Sequence, residues 1–458
     1  MRKRAVQYEM DMTNGPLLMN MLRFALPLMA SGVLQLLYNA ADMIVVGQFA
    51  GAEALASVGA TGAITALLVN LFMGFSVGAS VVVAQHYGAG SYKDVSQSVH
   101  TAVALALICG IGIGIIGVVL ARPLLEMMNT PADIIDGAVI YMSIYFAGLP
   151  ATMLYNFCAA ILRAVGDTKR PLYYLMISGA VNVILNLIFV IGFHMSVAGV
   201  ALATLISQCI SMTLIVICLM RSDGAIQLDL HLLRLHRDKV SAIIRIGLPA
   251  GLQSSMFAIS NTLIHSTVNT FGSAVIAGNT AASNIESFVS MPLSSFQQAT
   301  MSFMGQNYGA RKHERFGSIV RCGVLLVLCL GIPLGLLAST FAEPLIRIYT
   351  SEPDVIAWGA SRLTLLSMTY FILHIDDVFA SGQRGMGSSV FPMLVSIVCI
   401  CVFRIIWIYT VFAASPDMLT LYYAYPASWA FSLVVHAISF FLYKKRVVTR
   451  MKAAEAAA

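Results

Sequence analysis

Twelve long apolar segments decide what this chain can fold into. Each has about 20 or more residues and few charges, which is the length an α-helix needs to cross a bilayer. Of the 458 residues, 59% are hydrophobic and only 10% are charged, whereas soluble proteins carry about 25% charged residues. The sequence therefore predicts an all-α polytopic membrane protein with twelve transmembrane helices. The segments are residues 20–46, 53–85, 97–120, 135–162, 171–192, 196–220, 241–269, 274–306, 317–341, 355–382, 390–412 and 418–443.

Basic residues are concentrated in every second loop. Lys169 and Arg170 lie in one such loop, and Lys444 and Lys445 follow the last apolar segment. The positive-inside rule then places both termini in the cytoplasm, and the polar start of the chain is expected to be a cytosolic tail. The net charge of +6 follows from this topology, so we expect no nucleic-acid partner.

The second half of the chain repeats the first. QHYGAG at 85–90 recurs as QNYGAR at 306–311, an offset of 221 residues, and LRAVGDTKRP at 162–171 recurs more loosely at 383–392. Six segments per copy is an even number, so both copies have the same orientation. This predicts two pseudo-symmetric six-helix bundles in a 6+6 parallel repeat. We expect a first lobe over 1–220, a cytoplasmic linker over 221–240 and a second lobe over 241–458.

Asp42 places an ionisable carboxylate inside the first apolar segment. Asn39 and Gln35 fall on the same helical face at three and seven residues before it. Polar stripes of this kind are costly in lipid and are typical of a bundle interior or a water-filled cavity. Burial disfavours the charged form of a carboxylate, so we expect Asp42 to load and release a proton or to bind Na⁺ directly. The alternative is a hydrated or ion-paired carboxylate near the end of the span.

The second half has polar residues of its own inside the apolar segments. Asp376 and Asp377 lie near the middle of a span, and adjacent helical side chains point about 100° apart. One is therefore expected to face a cavity and the other a neighbouring helix, unless both pack against polar neighbours. Arg404 is expected to neutralise one of the acids or to extend outward. The second candidate centre comprises Asp376, Asp377, Glu286, Asn261 and Gln253.

The ordered motifs resemble those of one transporter family. LP at 26–27, ADMIVVG at 41–47, QHYGAG after the second span and LRAVGDTKRP after the fourth are similar to multidrug and toxic compound extrusion (MATE) transporters, over roughly residues 15–445. The resemblance implies a V-shaped, two-lobe exporter of amphipathic, often cationic compounds in the bacterial inner membrane, driven by inward flow of H⁺ or Na⁺. It implies a monomer in the lipid bilayer that needs small-molecule substrates and no cofactor beyond the coupling ion.

The same resemblance implies a polar network around Asp42. Its expected members are an Asn on helix four, two polar residues four apart on helix five, and a Thr on helix six. In this sequence those positions are Asn156, Asn182, Asn186 and Thr204. Asn186 stands where the related site has Asp, which leaves the lobe one carboxylate. Each amide alone is better explained by interhelical hydrogen bonding, whereas the set that converges on Asp42 is interpreted as a site.

The repeat departs from its symmetry at Asp42. Ile264 stands at the position that matches Asp42, so the acid is not duplicated.

Pro27 removes a helical hydrogen bond early in the first span. We expect it to act as a hinge that couples the state of Asp42 to the shape of helix one, with a passive bend as the alternative.

Three other functions compete with drug export. A lipid-linked oligosaccharide flippase of the same superfamily normally has extra spans and a basic cavity. A membrane enzyme is disfavoured because the sequence has no HExxH motif and no Walker loop. A channel is more often built from symmetric subunits around a pore-lining ring.

Overall fold

The computed structural model of the chain describes residues 10–128 and 130–457. Most of the predicted cytosolic tail falls on residues 1–9 and lies outside the described residues. The regular elements of the described residues are all helical, as expected for a polytopic membrane protein. We number the main helices α1–α12 in chain order.

Twelve helical segments follow the twelve predicted spans. They are α1 (Leu17–Val45), α2 (Ala52–Gly88), α3 (Tyr92–Met127), α4 (Ile135–Ala147 and Leu149–Ala164), α5 (Lys169–Leu187), α6 (Ser196–Met220), α7 (Arg237–Val268), α8 (Ser273–Gly309), α9 (Phe316–Thr340), α10 (Pro353–Ser367 and Tyr370–Gly385), α11 (Val390–Phe412) and α12 (Met418–Ala457).

Most of these helices are long and apolar enough to cross a membrane by themselves. Among the described residues, nine pass by length and composition, and the two broken helices, α4 and α10, raise the number to eleven. The twelfth, α8, has 37 residues, but it carries buried polar side chains such as Asn279 and Glu286 that lower its hydropathy. A helix of this type belongs inside a bundle rather than against lipid.

Helices α4 and α10 are bent where one continuous span each had been expected. The two halves of α4 meet at Gly148 with a bend of 44°, and those of α10 meet after Ser367 with a bend of 40°. In α4 Pro150 lies in the first turn of the second half, and because it lacks an N–H it cannot continue the hydrogen-bond ladder of the first half across Gly148. The bend thus has a local cause in the sequence.

The chain divides into two compact units, whose limits differ from the predicted lobes. The first is formed mainly by Ala30–Gly251, and the second by Asp11–Met29 with Leu252–Ala458. Helices α1 and α7 therefore each begin in one unit and end in the other. Pro27 and Pro249 lie two residues before those two crossing points. The division at 220 and 240 stays a prediction about the repeat.

Direct contacts explain why residues 11–29 belong to the second unit. The Met12 carbonyl accepts a hydrogen bond of 3.0 Å from Asn307 Nδ2. Further along, the ring of Phe24 packs edge-on against Phe303, with 5.8 Å between centroids. The start of α1 is thereby attached to the end of α8.

Helix α7 begins in the first unit because glycines allow it to touch α2. A Cβ added at Gly74 would lie 2.2 Å from the Gly251 nitrogen, and one at Gly78 would lie 2.2 Å from the Ile243 carbonyl oxygen. Helix α2 is continuous over Ala52–Gly88, and these two glycines serve close helix packing of the small-residue type.

Candidate functional site

Asp42 and Asn186 form a hydrogen-bonded pair between α1 and α5. Asn186 Nδ2 donates to Asp42 Oδ1 and, at 3.3 Å, to Asn182 Oδ1. Both asparagines are buried, and Asp42 is half-buried. No lysine, arginine or histidine of the described residues forms an ion pair with Asp42. The carboxylate is therefore held by a neutral amide and has no protein cation to balance its charge.

Gly179 on α5 has no side chain, which allows α1 to approach α5 closely beside the Asp42–Asn186 pair. A Cβ at Gly179 would lie 1.8 Å from the Tyr38 ring, and the Tyr38 hydroxyl donates to the Met176 carbonyl at 3.4 Å. Tyr38 precedes Asp42 by one helical turn. Gly179 thus determines how near the carboxylate comes to Asn186, a role that sequence reasoning did not identify.

An apolar cluster lies directly beyond the pair. Val45 and Val46 on α1 pack with residues of α2, α5 and α6 in a buried group that contains Ala54, Val190, Val197 and Val200. At the same level α1 and α5 both end in a wider π-helical turn, at Val46–Ala50 and Ile188–Gly192. Such turns are frequent at functional sites. The valines thus form a small packed core at this end of the first unit.

The other predicted neighbours of Asp42 lie elsewhere in the first unit. Asn39 and Gln35 are exposed on α1. Asn156 donates to the Thr152 carbonyl of its own helix at 2.8 Å, and Thr204 is half-buried on α6. No hydrogen bond joins any of these four to Asp42 in the described part of the chain. The structure therefore brings together Asp42, Asn186 and Asn182 only.

The second unit contains a buried ion pair between α8 and α10. Arg362 donates to both carboxylate oxygens of Glu286 at 2.9 Å each, and the Tyr370 hydroxyl donates to Glu286 at 3.0 Å. Arg362 also donates to Asn279 at 2.7 Å, and Asn279 donates to His265 Nδ1 at 3.0 Å. Arg362 and Glu286 are each 3% exposed. Glu286 is therefore fully paired inside the bundle.

Arg404 is buried, and no carboxylate of residues 10–128 and 130–457 pairs with it. It donates to Ser428 at 3.1 Å and to Asn261 at 2.9 Å, and its guanidinium lies 4.4 Å from the centroid of Tyr425. Arg362 lies over the same ring at 5.4 Å. The expectation that Arg404 neutralises an acid or extends outward was wrong, because neutral oxygens and an aromatic face surround it instead.

The two adjacent aspartates of α10 point to different partners, in line with their 100° separation. Asp376 is buried and accepts from His436 Nδ1 at 2.6 Å and from Ser432 at 2.9 Å. His436 Nε2 lies 3.2 Å from the Pro392 carbonyl oxygen. Both ring nitrogens of His436 thus lie within hydrogen-bond distance of oxygen acceptors. Asp377 is half-buried and lies 3.6 Å from His374 Nδ1.

Gln253 belongs to a third buried group. Its Nε2 donates to Ser396 at 2.7 Å, and its Oε1 accepts from Arg384. The second candidate centre is therefore several separate networks, each with its own counter-charge or amide. Sequence reasoning did not identify Arg362, Arg384 or His436. The signal was present, since each is an ionisable residue within or at the edge of an apolar span.

A sequence model of the family described as MatE matches this chain twice, at residues 27–188 and 249–410. The two matches are offset by 222 residues, which pairs Asp42 with Ile264 and Asn186 with Ile408. Both isoleucines lie in one buried apolar cluster of the second unit. The acid and amide of the first unit are thus replaced by packed aliphatic side chains in the second.

Curated relatives and solved structures extend over nearly the whole chain. The probable multidrug resistance protein YoeA of Bacillus subtilis is 26% identical over 438 residues, which are 93% of this chain and 94% of that protein. The FAD transporter of Shewanella oneidensis is 23% identical over 77% of this chain and 79% of its own. A crystal structure of MATE in the straight conformation superimposes with a TM-score of 0.87 at 24% identity, covering 98% of this chain and 99% of that one.

Proposed function

Because the chain belongs to the MatE family, we propose that it is an antiporter that exports amphipathic, often cationic compounds in exchange for H⁺ or Na⁺. It would act as a monomer in the bacterial inner membrane, with both termini in the cytoplasm. The relative YoeA is named a probable multidrug resistance protein, which supports drugs as substrates. The names of the relatives do not mention a coupling ion, so H⁺ or Na⁺ is proposed from the Asp42 site alone.

The observation that carries the proposal is that no cationic side chain among the described residues forms an ion pair with the Asp42 carboxylate. Asn186 donates one hydrogen bond to it, and a valine cluster lies beyond it. A desolvated carboxylate in this position needs a positive charge from outside the protein. A proton or Na⁺ would supply that charge in one state, and a cationic substrate would compete with it in another.

Helix α1 connects this site to the rest of the molecule. It carries Pro27 in the second unit and Asp42 in the first. We assign Pro27 the role of a hinge, at which α1 changes shape when Asp42 gains or loses its ion. Ion binding would favour the shape with weak substrate affinity, so that the substrate leaves on the outer side and the ion then leaves on the inner side.

The driving force is large enough for this mechanism. One elementary charge that crosses 100 mV supplies about 2.3 kcal/mol, and a tenfold change in substrate affinity requires about 1.4 kcal/mol. One ion per cycle therefore suffices for useful accumulation. Glu286 has the buried counter-charge of Arg362, and Asp376 has His436 as a buried partner, so we assign coupling first to Asp42 and keep Asp376 with His436 as the second centre.

Transport into inverted vesicles tests the proposal. Vesicles that contain the protein are energised, and uptake of a fluorescent organic cation is followed while the pH gradient is collapsed or Na⁺ is removed. We expect uptake above that of vesicles without the protein, and we expect one of the two treatments to abolish it. Uptake that survives both treatments, or no uptake of any amphipathic cation, would refute the proposal.

A second candidate function is export of an anionic, nucleotide-like compound. The relative from Shewanella oneidensis is named for FAD transport. Arg404 supports this alternative, because it is a buried guanidinium with only neutral partners and the face of Tyr425 around it. If FAD accumulates in the same vesicles and the organic cation does not, this alternative replaces the first proposal.

A further inference from the structure

The surface of the second unit contains a groove of about 570 Å³ between α9, α10 and α12. Its apolar part is formed by the rings of Phe379, Phe440 and Phe441, whose centroids lie 5.6–6.2 Å apart. Phe441 is 56% exposed, so the groove opens away from the bundle. Exposed aromatic and aliphatic side chains on a membrane protein of this type face lipid.

Two cations lie at the end of this groove that adjoins the basic loops. Arg321 donates to the Ser318 hydroxyl at 3.2 Å, and Lys444 Nζ lies 5.9 Å from the centroid of the Phe441 ring. Neither side chain forms an ion pair with a carboxylate within 4.0 Å in the described part of the chain. The groove therefore combines an apolar floor with two positive charges that no carboxylate of the described residues pairs with.

The internal repeat identifies the position in the first unit that corresponds to this groove. At the offset of 221 residues, Arg321 corresponds to His100 on α3 and Phe440 to Leu219 on α6. His100 Nε2 accepts from the Asp229 N–H at 3.1 Å, and the Leu219 carbonyl accepts from the Leu228 N–H at 3.1 Å. The segment that joins α6 to α7 thus runs over this place.

That segment also fills the place with apolar side chains. Ile226 and Leu228 are 1% and 2% exposed. In the second unit the chain takes a different course, because α12 continues as one helix past Lys444 to Ala457. The first unit covers its groove with its own residues, whereas the second unit leaves the corresponding groove open and adds two cations.

We infer that the groove of the second unit binds an anionic phospholipid. The phosphate lies between Arg321 and Lys444, and an acyl chain lies over Phe379 and Phe440, in the place that Ile226 and Leu228 take in the first unit. Basic pockets between transmembrane helices on the cytoplasmic side are known to suit acidic lipid head groups. A free phosphate ion would use the two cations but would leave the aromatic floor empty. This inference does not depend on the transported substrate.

Native mass spectrometry of the purified full chain tests the inference. Dioleoylphosphatidylglycerol or dioleoylphosphatidylcholine is titrated into the detergent solution, and bound lipid is counted. We expect tighter binding of the anionic lipid, and a loss of about 30-fold in affinity in the double variant R321Q/K444Q, as two juxtamembrane cations should give. The control K445Q/R446Q removes the same net charge, both residues being on α12 next to Lys444, and is expected to bind normally.

A groove-filling variant separates the lipid from a free anion. Val324→Trp keeps both cations and occupies the apolar part of the groove, so it should lose the phosphatidylglycerol. Equal binding of the two lipids by the wild-type chain would overturn the inference. So would equal losses in R321Q/K444Q and in the control, unchanged binding in Val324→Trp, or inorganic phosphate that displaces the lipid at equimolar concentration.

Discussion

Removing Arg362 alone should destabilise the second unit more than removing Arg362 and Glu286 together. In Arg362→Met, the Glu286 carboxylate loses both 2.9 Å hydrogen bonds and keeps only the one from Tyr370. Glu286 is 3% exposed, so water cannot replace the guanidinium. Breaking a buried ion pair from one side costs about 3–5 kcal/mol, and we expect a loss in that range.

The double variant E286Q/R362M carries neither charge. Replacement of a buried ion pair by neutral groups of similar size is often close to neutral, so we expect it to recover most of the loss. Arg122→Gln serves as the control, since its ion pair with Glu126 is more than half exposed and should be worth about 0–1 kcal/mol.

Denaturant titration of the purified protein in detergent measures these differences. The free energies of unfolding of Glu286→Gln, Arg362→Met, the double variant and the wild type form a thermodynamic cycle. A double variant whose loss equals the sum of the two single losses would contradict the account of a coupled buried pair. So would an Arg362→Met variant no less stable than Arg122→Gln.

Three other substitutions test separate contacts. Gly179→Ala should push α1 away and reduce ion-driven uptake at least tenfold, while Gly192→Ala, which meets no atom within 4 Å, should leave uptake intact. His436→Leu should cost about 3 kcal/mol of unfolding free energy in the denaturant titration, because Asp376 then keeps only a serine donor. Gly74→Ala should lower the yield of folded protein on gel filtration, because its Cβ would lie 2.2 Å from backbone of α7.

The helices could be predicted from sequence because the thickness of the hydrocarbon layer fixes the length of a span. The chain contains twelve apolar segments of about that length. The exceptions have identifiable causes. The bend at Gly148 depends on local backbone preferences around Pro150, which a hydropathy pattern does not register. The function of Gly74 depends on which helix lies opposite, and this is a property of the tertiary fold.

The candidate site was predictable only in part for the same reason. An acid in an apolar span identifies Asp42 by itself, and helical spacing places Asn182 and Asn186 on one face. Neither rule states which helices meet. Asn156 therefore bonds within its own helix instead of reaching Asp42. Likewise the partner of Glu286 is Arg362, 76 residues away, which no local spacing indicates.

Ion-driven transport by Asp42→Asn tests the central claim most directly. The variant removes the charge and keeps the shape, and Asp133→Asn, in an exposed loop, is the matched control. In energised inverted vesicles, uptake of the organic cation by Asp42→Asn is expected to fall to that of vesicles without the protein, while Asp133→Asn transports normally. The purified variant should still be folded and bind the compound without any dependence on pH or Na⁺. Gradient-driven uptake by Asp42→Asn at the wild-type rate would show that the coupling ion binds elsewhere.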